Sequence, residues 1–350
     1  MQVTLRPGNR TLAVEPGESV LDAALRAHIN LPHSCKGGNC GSCRAQLVAG
    51  EIHYPRGRPL ALSDEEVAHG YVLLCQARAR SDLIVEARDV RHLIDVEIKS
   101  LPCRVERMQL LAPDVMALFL RLPAVEDFVF RAGQYLDIML PDGRRRSFSI
   151  ASPPHDASFL ELHVRRAARG EFTARVFGGM KRGELLRIEG ALGQFVYREP
   201  GDPAALELLI GGGTGFAPLK SLLRHVLETG RQRPLHLYWG ARHALDLYEH
   251  DWVRERVARF PQFRYTPVLS EPSANEAGRF RTGFVHEAVV ADYPDLSQAD
   301  VYAAGPPAMI KAVVETLPAH GLNRERLYFD SFEYAPDALA RMQAQAGQAR

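Results

Sequence analysis

Cys35, Cys40, Cys43 and Cys75 read C-x4-C-x2-C, then 31 residues, then C. Three thiols on one tight loop and a fourth from a distant segment make the plant-type spacing that holds a [2Fe-2S] cluster. Such a cluster accepts one electron at a time at roughly −400 mV. Gly37, Gly38 and Gly41 lie between the cysteines. Glycine admits positive φ and brings backbone N–H groups close to sulfur, where they tune the potential. Tetrahedral zinc is the rival, although zinc sites usually show two C-x2-C knuckles and this chain has one. A disulfide framework fits poorly with a long chain that lacks a secretory signature. Cys103, in KSLPCRV, stands alone and reads as a small core residue.

Two further groups of residues suit phosphate chemistry. LLIGGGTGFAPLKSLL puts Gly211, Gly212, Gly213 and Gly215 after an apolar strand pattern, with Pro218 in the first turn of a helix. A strand, a glycine turn and a helix form the unit that binds nucleotides at the carboxyl edge of a parallel sheet. Phe216 at the third glycine position departs from the strict G-x-G-x-x-G pattern. In RSFSIAS, Arg146 offers a guanidinium fork suited to phosphate. The GEFT segment, with Gly170, Phe172 and Thr173, opens a helix whose N-terminal amides can receive a pyrophosphate.

Three kinds of element position these residues. Residues 1–92 alternate as strands around one helical segment, SVLDAALRAHI, with Ser19 as its N-cap. Residues 93–100 read as a linker. Residues 101–204 hold short strands with turn signals between them and one helix, TARVFGGM, a pattern that predicts an antiparallel barrel. Residues 205–335 alternate apolar strands with helices, which predicts a parallel sheet covered on both faces. Residues 336–350 form a tail. The 350-residue chain has a formal net charge of +1, which gives no reason to expect nucleic acid or an acidic membrane surface as partner. The N-terminus lacks the pattern of a signal peptide. No apolar run reaches the ~18 residues of a membrane span. A cytoplasmic location is the expectation.

With these residues in place, the chain resembles the ferredoxin–NAD(P) reductase-like flavoproteins that carry an N-terminal [2Fe-2S] domain. The implied fold is multidomain α+β and α/β: a β-grasp-type ferredoxin, an antiparallel flavin-binding β-barrel, and a doubly wound parallel-sheet nucleotide-binding domain. By this resemblance Arg146 pairs with a flavin phosphate, Ser147 belongs to the same motif, Phe148 lies against the isoalloxazine, and Ser149 sits near its reactive nitrogen. Tyr135, His163, Val164, Arg165, Gly170, Phe172 and Thr173 complete the implied FAD site. GGGTG-x-AP, with Gly212, Gly213, Thr214, Gly215 and Pro218, and the Gly305, Pro306, Met309 turn would pass the nicotinamide dinucleotide. Ala304 stands where many members have cysteine, so no thiol contributes there. For a 2′-phosphate the chain offers Arg242, in WGARHALDLY, and Ser270 and Arg279, in SEPSANEAGRFR, but WGAR followed by DLY resembles NADH users more than NADPH users. Phe332 and Glu333, in YFDSFEYA, are candidates for ring contact or proton supply, with packing as the alternative.

The order of the sites implies electron flow from NADH to FAD to [2Fe-2S] to a partner protein, with the flavin converting a two-electron donor into one-electron steps. SCKGGNCGSCRAQLVAGEI, LSDEEVAHGYVLLCQA, KSLPCRV and LYFDSFEYA resemble the CDP-6-deoxy-Δ3,4-glucoseen reductase subfamily, whose acceptor is a dehydratase. Reductase components of ring-hydroxylating and other oxygenases share the same order. A non-enzymatic redox sensor or electron carrier is the alternative of another class. Residues 1–92 hold eleven Lys/Arg and ten Asp/Glu, a balance that fits a ferredoxin tethered to its own reductase.

Overall fold

The computed structural model describes residues 1–29, 31–33, 36–38, 41–59, 61–87, 97–124, 127–156, 158–167, 170–199, 202 and 204–332. The chain forms two compact units, one around the N-terminal sheet and one around the barrel and the parallel sheet.

The first unit has strands β1 (Gln2–Arg6), β2 (Arg10–Ala13), β3 (Arg44–Ala49), β4 (Ile52–His53), β5 (Tyr71–Leu73), β6 (Arg78–Ala79) and β7 (Leu83–Ala87), with helices α1 (Val20–Arg26) and α2 (Asp64–Ala68). Five strands make a mixed sheet in the order β2-β1-β7-β3-β5, in which only β1 and β7 run parallel. Alternation in β1 turns Val3 and Leu5 inward. Helix α1 buries Val20, Leu21, Ala23, Ala24 and Leu25, and Ser19 Oγ caps it by accepting the Asp22 amide. Ser63 and Glu66 close a capping box on α2 just before the strand that leads to Cys75.

In the second unit, β8 (Lys99–Ala112), β9 (Val115–Arg121), β10 (Tyr135–Met139), β11 (Arg145–Ser149), β12 (Leu160–Arg165) and β13 (Leu185–Leu192) form one sheet, with helix α3 (Glu171–Gly178) after β12. The strand order is β11-β10-β13-β8-β9-β12. The two outer strands then meet, because Ile150 bridges Leu162 and the Ala151 amide donates to Glu161 O at 2.8 Å. That contact closes the sheet into the expected barrel. Strand β8 begins at Lys99, inside the segment read as a linker.

The parallel sheet follows. It contains β14 (Glu207–Gly212), β15 (Leu235–Ala241), β16 (Phe263–Leu269), β17 (Arg281–Thr282), β18 (Asp300–Gly305) and β19 (Leu327–Ser331). Between them run α4 (Phe216–Glu228), α5 (His250–Arg259), α6 (Ala274–Ala277), α7 (Val285–Asp292) and α8 (Pro307–Thr316). The order β17-β16-β15-β14-β18-β19, parallel throughout, turns back between β14 and β18. That reversal is the switch point at which ligands bind in doubly wound sheets. Phe216, Leu219, Leu222, Trp239 and Val253 pack one face, and Val285, Val289, Ile310 and Val313 the other. Among the described residues no helix is long and apolar enough to cross a membrane.

Candidate active site

In the first unit, Cys43 and Cys75 are both buried. The Leu74 amide donates to Cys43 O at 3.1 Å and so ties their segments together. Cys35 and Cys40 lie outside the described residues. Gly38 and Gly41 hold φ of +85° and +74°, and a Cβ on Gly38 would meet Gln76 Cγ at 2.9 Å. The loop is therefore pressed against the segment that carries Cys75. Buried soft donors on a glycine-rich loop fit a thiolate-bound cluster. Cys103 is buried in β8, and burial pushes its thiol up to about 12, which suits the inert core residue expected.

On the barrel, β10 and β11 pair Tyr135 with Ser149, Leu136 with Phe148, Asp137 with Ser147 and Ile138 with Arg146. Alternation sets Arg146 and Phe148 on one face of β11 and Ser147 and Ser149 on the other. Arg145 is held by the buried Glu189, and Arg144 by Asp142 and Glu171. Arg146 donates to its neighbour's carbonyl, Arg145 O, at 2.9 Å. Ser147 Oγ donates to the buried Asp137. The Phe148 ring lies 5.5 Å from that of Phe172 in the first turn of α3. Gly170 caps α3 without a side-chain bond to its first amides. Thr173 Oγ1 is engaged locally, accepting from the Ala167 amide at 3.2 Å and donating to Gly170 O at 2.9 Å.

Strand β12 divides its three predicted residues between destinations. Val164 is fully buried, with Leu160 and Leu162 on its face. His163 Nδ1 lies 3.0 Å from the Tyr248 hydroxyl, and its Nε2 lies 3.0 Å from Glu161 Oε1. Arg165 reaches the glycine turn, where a Cβ added to Gly213 would meet its guanidinium at 3.3 Å.

The nucleotide turn is made by close backbone approach. A Cβ on Gly215 would stand 1.9 Å from Ala304 O, and one on Gly212 would stand 2.6 Å from Met309 Sδ and 2.8 Å from Pro306 Cδ. Gly305 has φ +156°, and a Cβ there would meet the Gly212 amide at 3.0 Å. Gly212 and Gly215 thus pack directly against Ala304, Gly305, Pro306 and Met309 where β14 and β18 end, at the switch point whose outer edge forms a crevice in doubly wound sheets. Pro218 lies in the first turn of α4, as its fixed φ suits. Trp239 Nε1 donates to Gly213 O at 3.0 Å and braces the turn from below. The Phe332 amide donates to Gly305 O at 2.9 Å, which brings the end of β19 to the same crevice. Glu333 lies outside the described residues. Ala304 is fully buried. At the rim, Arg242 is largely exposed, with Nε 3.8 Å from Asp246 Oδ2, and its carbonyl accepts the Glu271 amide at 3.0 Å.

One buried group escaped the sequence reading. Lys220 Nζ donates to Glu161 at 2.9 Å and to Glu249 at 2.8 Å, and Lys220 and Glu161 are both buried. Glu161, His163 and Glu249 bring ligand atoms within 4.8 Å of one another, and the Lys220 ammonium is the cation they surround. Burial raises the Glu161 carboxyl, but the His163 hydrogen bond and the charges of His163 and Lys220 outweigh it and hold the group at about 2. In sequence, Lys220 looks like the polar side of an amphipathic helix, 59 residues from Glu161.

Residues 3–80 match the family described as 2Fe-2S iron-sulfur cluster binding domain. Residues 102–197 match the oxidoreductase FAD-binding domain, and residues 209–315 the oxidoreductase NAD-binding domain. The CDP-6-deoxy-L-threo-D-glycero-4-hexulose-3-dehydrase reductase of Yersinia pestis is 37% identical over 332 residues, which cover 95% of this chain and 98% of the relative. The chain belongs to the ferredoxin–NAD(P) reductase-like iron–sulfur flavoproteins. Like other members it is an NAD(P)H-dependent oxidoreductase with FAD and a [2Fe-2S] cluster as cofactors. Reductase component 1 of terephthalate 1,2-dioxygenase from Comamonas is 35% identical over 339 residues, covering 96% of this chain and 98% of that protein. Among solved structures, the Amycolatopsis cytochrome P450 reductase GcoB superposes with a TM-score of 0.77 at 34% identity, over 95% of this chain and 98% of that one.

Proposed function

We propose that this reductase delivers electrons from NADH to a separate dehydratase acting on a CDP-linked deoxysugar. Full-length similarity to the Yersinia enzyme supports that acceptor. Oxygenase support is the second reading, favoured by the Comamonas and Amycolatopsis relatives. In either case the partner is a protein, and a cytoplasmic location suits a thiolate-bound cluster. The modules are residues 1–92, 101–204 and 205–335, joined by 93–100, whose last two residues already open β8, and followed by 336–350.

The observation that carries the cofactor assignment is Arg165 on the barrel lying against Gly213 of the nucleotide turn. One crevice can then receive both ring systems. Arg146 binds the flavin phosphate, the first amides of α3 behind Gly170 receive the pyrophosphate, and Phe148 with Phe172 forms an aromatic wall. Ser149, buried beside Tyr135, offers a hydrogen bond at the ring. Gly212, Gly213, Thr214 and Gly215 admit the dinucleotide, and Gly305, Pro306 and Met309 shape the opposite side. Phe332 covers the crevice from β19, and Glu333 follows it in sequence. Bound flavin supplies the exchange between a hydride donor and a one-electron acceptor. Cys35, Cys40, Cys43 and Cys75 hold the cluster. NADH is preferred because Asp246 already lies beside Arg242, the guanidinium that a 2′-phosphate would claim.

An anaerobic visible spectrum before and after NADH tests this scheme. Flavin and iron–sulfur bands that both bleach support it. Flavin absorption without cluster absorption after iron–sulfur reconstitution overturns the four-cysteine assignment. Mixing the NADH-reduced protein with a CDP-sugar dehydratase and, separately, with an oxygenase decides the acceptor. Turnover of the oxygenase alone overturns the sugar reading.

A further inference from the structure

The outer face of β12 carries Glu161, His163 and Arg165 at alternate positions, and each meets a different level of the glycine turn and α4. Arg165 lies against Gly213. The His163 ring stacks toward that of Phe216 with centroids 6.4 Å apart. Glu161 receives Lys220. The two carboxylates around Lys220 differ in origin. Glu249 immediately precedes α5 and belongs to the same sheet domain as Lys220. Glu161 belongs to the barrel, on the strand that closes against Ile150, one residue past Ser149. A second tie runs the same way, since Ser221 Oγ donates to Ser152 O at 2.8 Å, with both serines buried.

A buried ammonium that needed only charge compensation would find it in Glu249. Bringing in a second buried carboxylate from the barrel adds desolvation cost. What it adds in return is a fixed distance between the strand beside the flavin motif and the helix that carries the nicotinamide turn. We propose that Glu161 and Lys220 are a positioning pair that sets the approach of the nicotinamide to the flavin. The inference rests on the cofactor sites proposed above. Reacting atoms must be held about 3–3.5 Å apart, and a misplacement of about 1 Å costs on the order of 10²-fold in rate.

The experiment compares Glu161→Gln with Glu249→Gln in the full-length, flavin- and cluster-loaded protein. Each isosteric change removes one of the two negative charges from Lys220, but only the first weakens a tie between the barrel and the sheet domain. Stopped-flow flavin reduction by NADH gives the limiting rate and the half-saturating concentration separately. The limiting rate of Glu161→Gln should fall about 10²-fold with half-saturation moved by less than about threefold, and that of Glu249→Gln by less than about threefold. Hydrogen exchange of residues 213–220, measured without nicotinamide, should accelerate in Glu161→Gln and much less in Glu249→Gln. If Glu161→Gln does not retain flavin, adding Lys220→Met removes the stranded charge, and the same loss of limiting rate is expected. An unchanged limiting rate in the flavin-loaded variant, or equal losses in the two single variants, overturns the pair. Failure of the cofactor assignment itself appears separately, as unmodified protein whose flavin NADH does not bleach.

Discussion

On β10 and β11 the candidate flavin site is made from side chains: the Arg146 guanidinium and the Phe148 ring on one face of β11, and the paired Ser149 hydroxyl and Tyr135 phenol at the strand's end. At the ends of β14 and β18 the candidate nicotinamide crevice is made from their absence, with Gly212, Gly215 and Gly305 letting two backbones nearly touch. The first kind of site can lose one group and keep its shape, because the pairing of β10 with β11 survives a truncation. The second kind loses its shape when a single methyl is added. Charge and ring stacking are therefore adjustable on the barrel, whereas the nucleotide turn is a steric all-or-none element.

Gly215→Ala is the strongest way to break this contrast. The new methyl would overlap Ala304 O, which is backbone and cannot swing aside. A stability loss of about 3 kcal/mol is expected by thermal melting. NADH-driven flavin bleaching should fall at least about 10²-fold, with flavin absorption retained. Arg146→Ala should do the reverse. The fold and the NADH crevice persist, while the FAD dissociation constant, measured by fluorescence titration, rises about 10-fold to 100-fold through loss of one charge-assisted bond. An Arg146→Ala protein that binds FAD normally would remove the barrel from the comparison.

The pH dependence sharpens the contrast at the seam between the two regions. Glu161 falls from an ordinary 4.5 to about 2 in the folded protein. Its stabilisation is fully present above about pH 4.5 and is lost as pH falls from there through about 2. Melting curves of the unmodified protein should show this loss, and Glu161→Gln should flatten it. The smallest effect is expected at the rim. Arg242 is largely exposed and sits beside Asp246, so Arg242→Ala should change the NADH half-saturation by less than about fivefold, as for a screened surface pair. A larger change would mean that the rim contributes as much as the turn.

Much of this was legible from residues alone. The cysteine spacing, the glycine run and the strand–helix alternation are local patterns, each bound to one kind of backbone. The double winding of β14 to β19 followed from apolar strands between amphipathic helices. Closure of the barrel was legible only as a class, since the Ile150–Leu162 contact that seals it joins strands with no pattern in common. The different fates of His163, Val164 and Arg165 were hidden as well. A family motif names neighbours in sequence, whereas a strand sends them alternately to opposite faces. Lys220 was the least legible of all. Its burial depends on two carboxylates brought by other elements, and nothing in PLKSLLRHVLE distinguishes it from a lysine in water.

The close approach of Gly212 and Gly305 also bears on how this protein can be altered by descent or design. Where a backbone touches a backbone, almost no substitution is tolerated, so the floor of the crevice is closed to gradual change. Variation is left to rim positions such as Arg242, whose largely exposed side chain can be exchanged without moving either strand. A library placed at such exposed rim positions would keep the fold, while one spread over the glycines would consist mostly of dead clones.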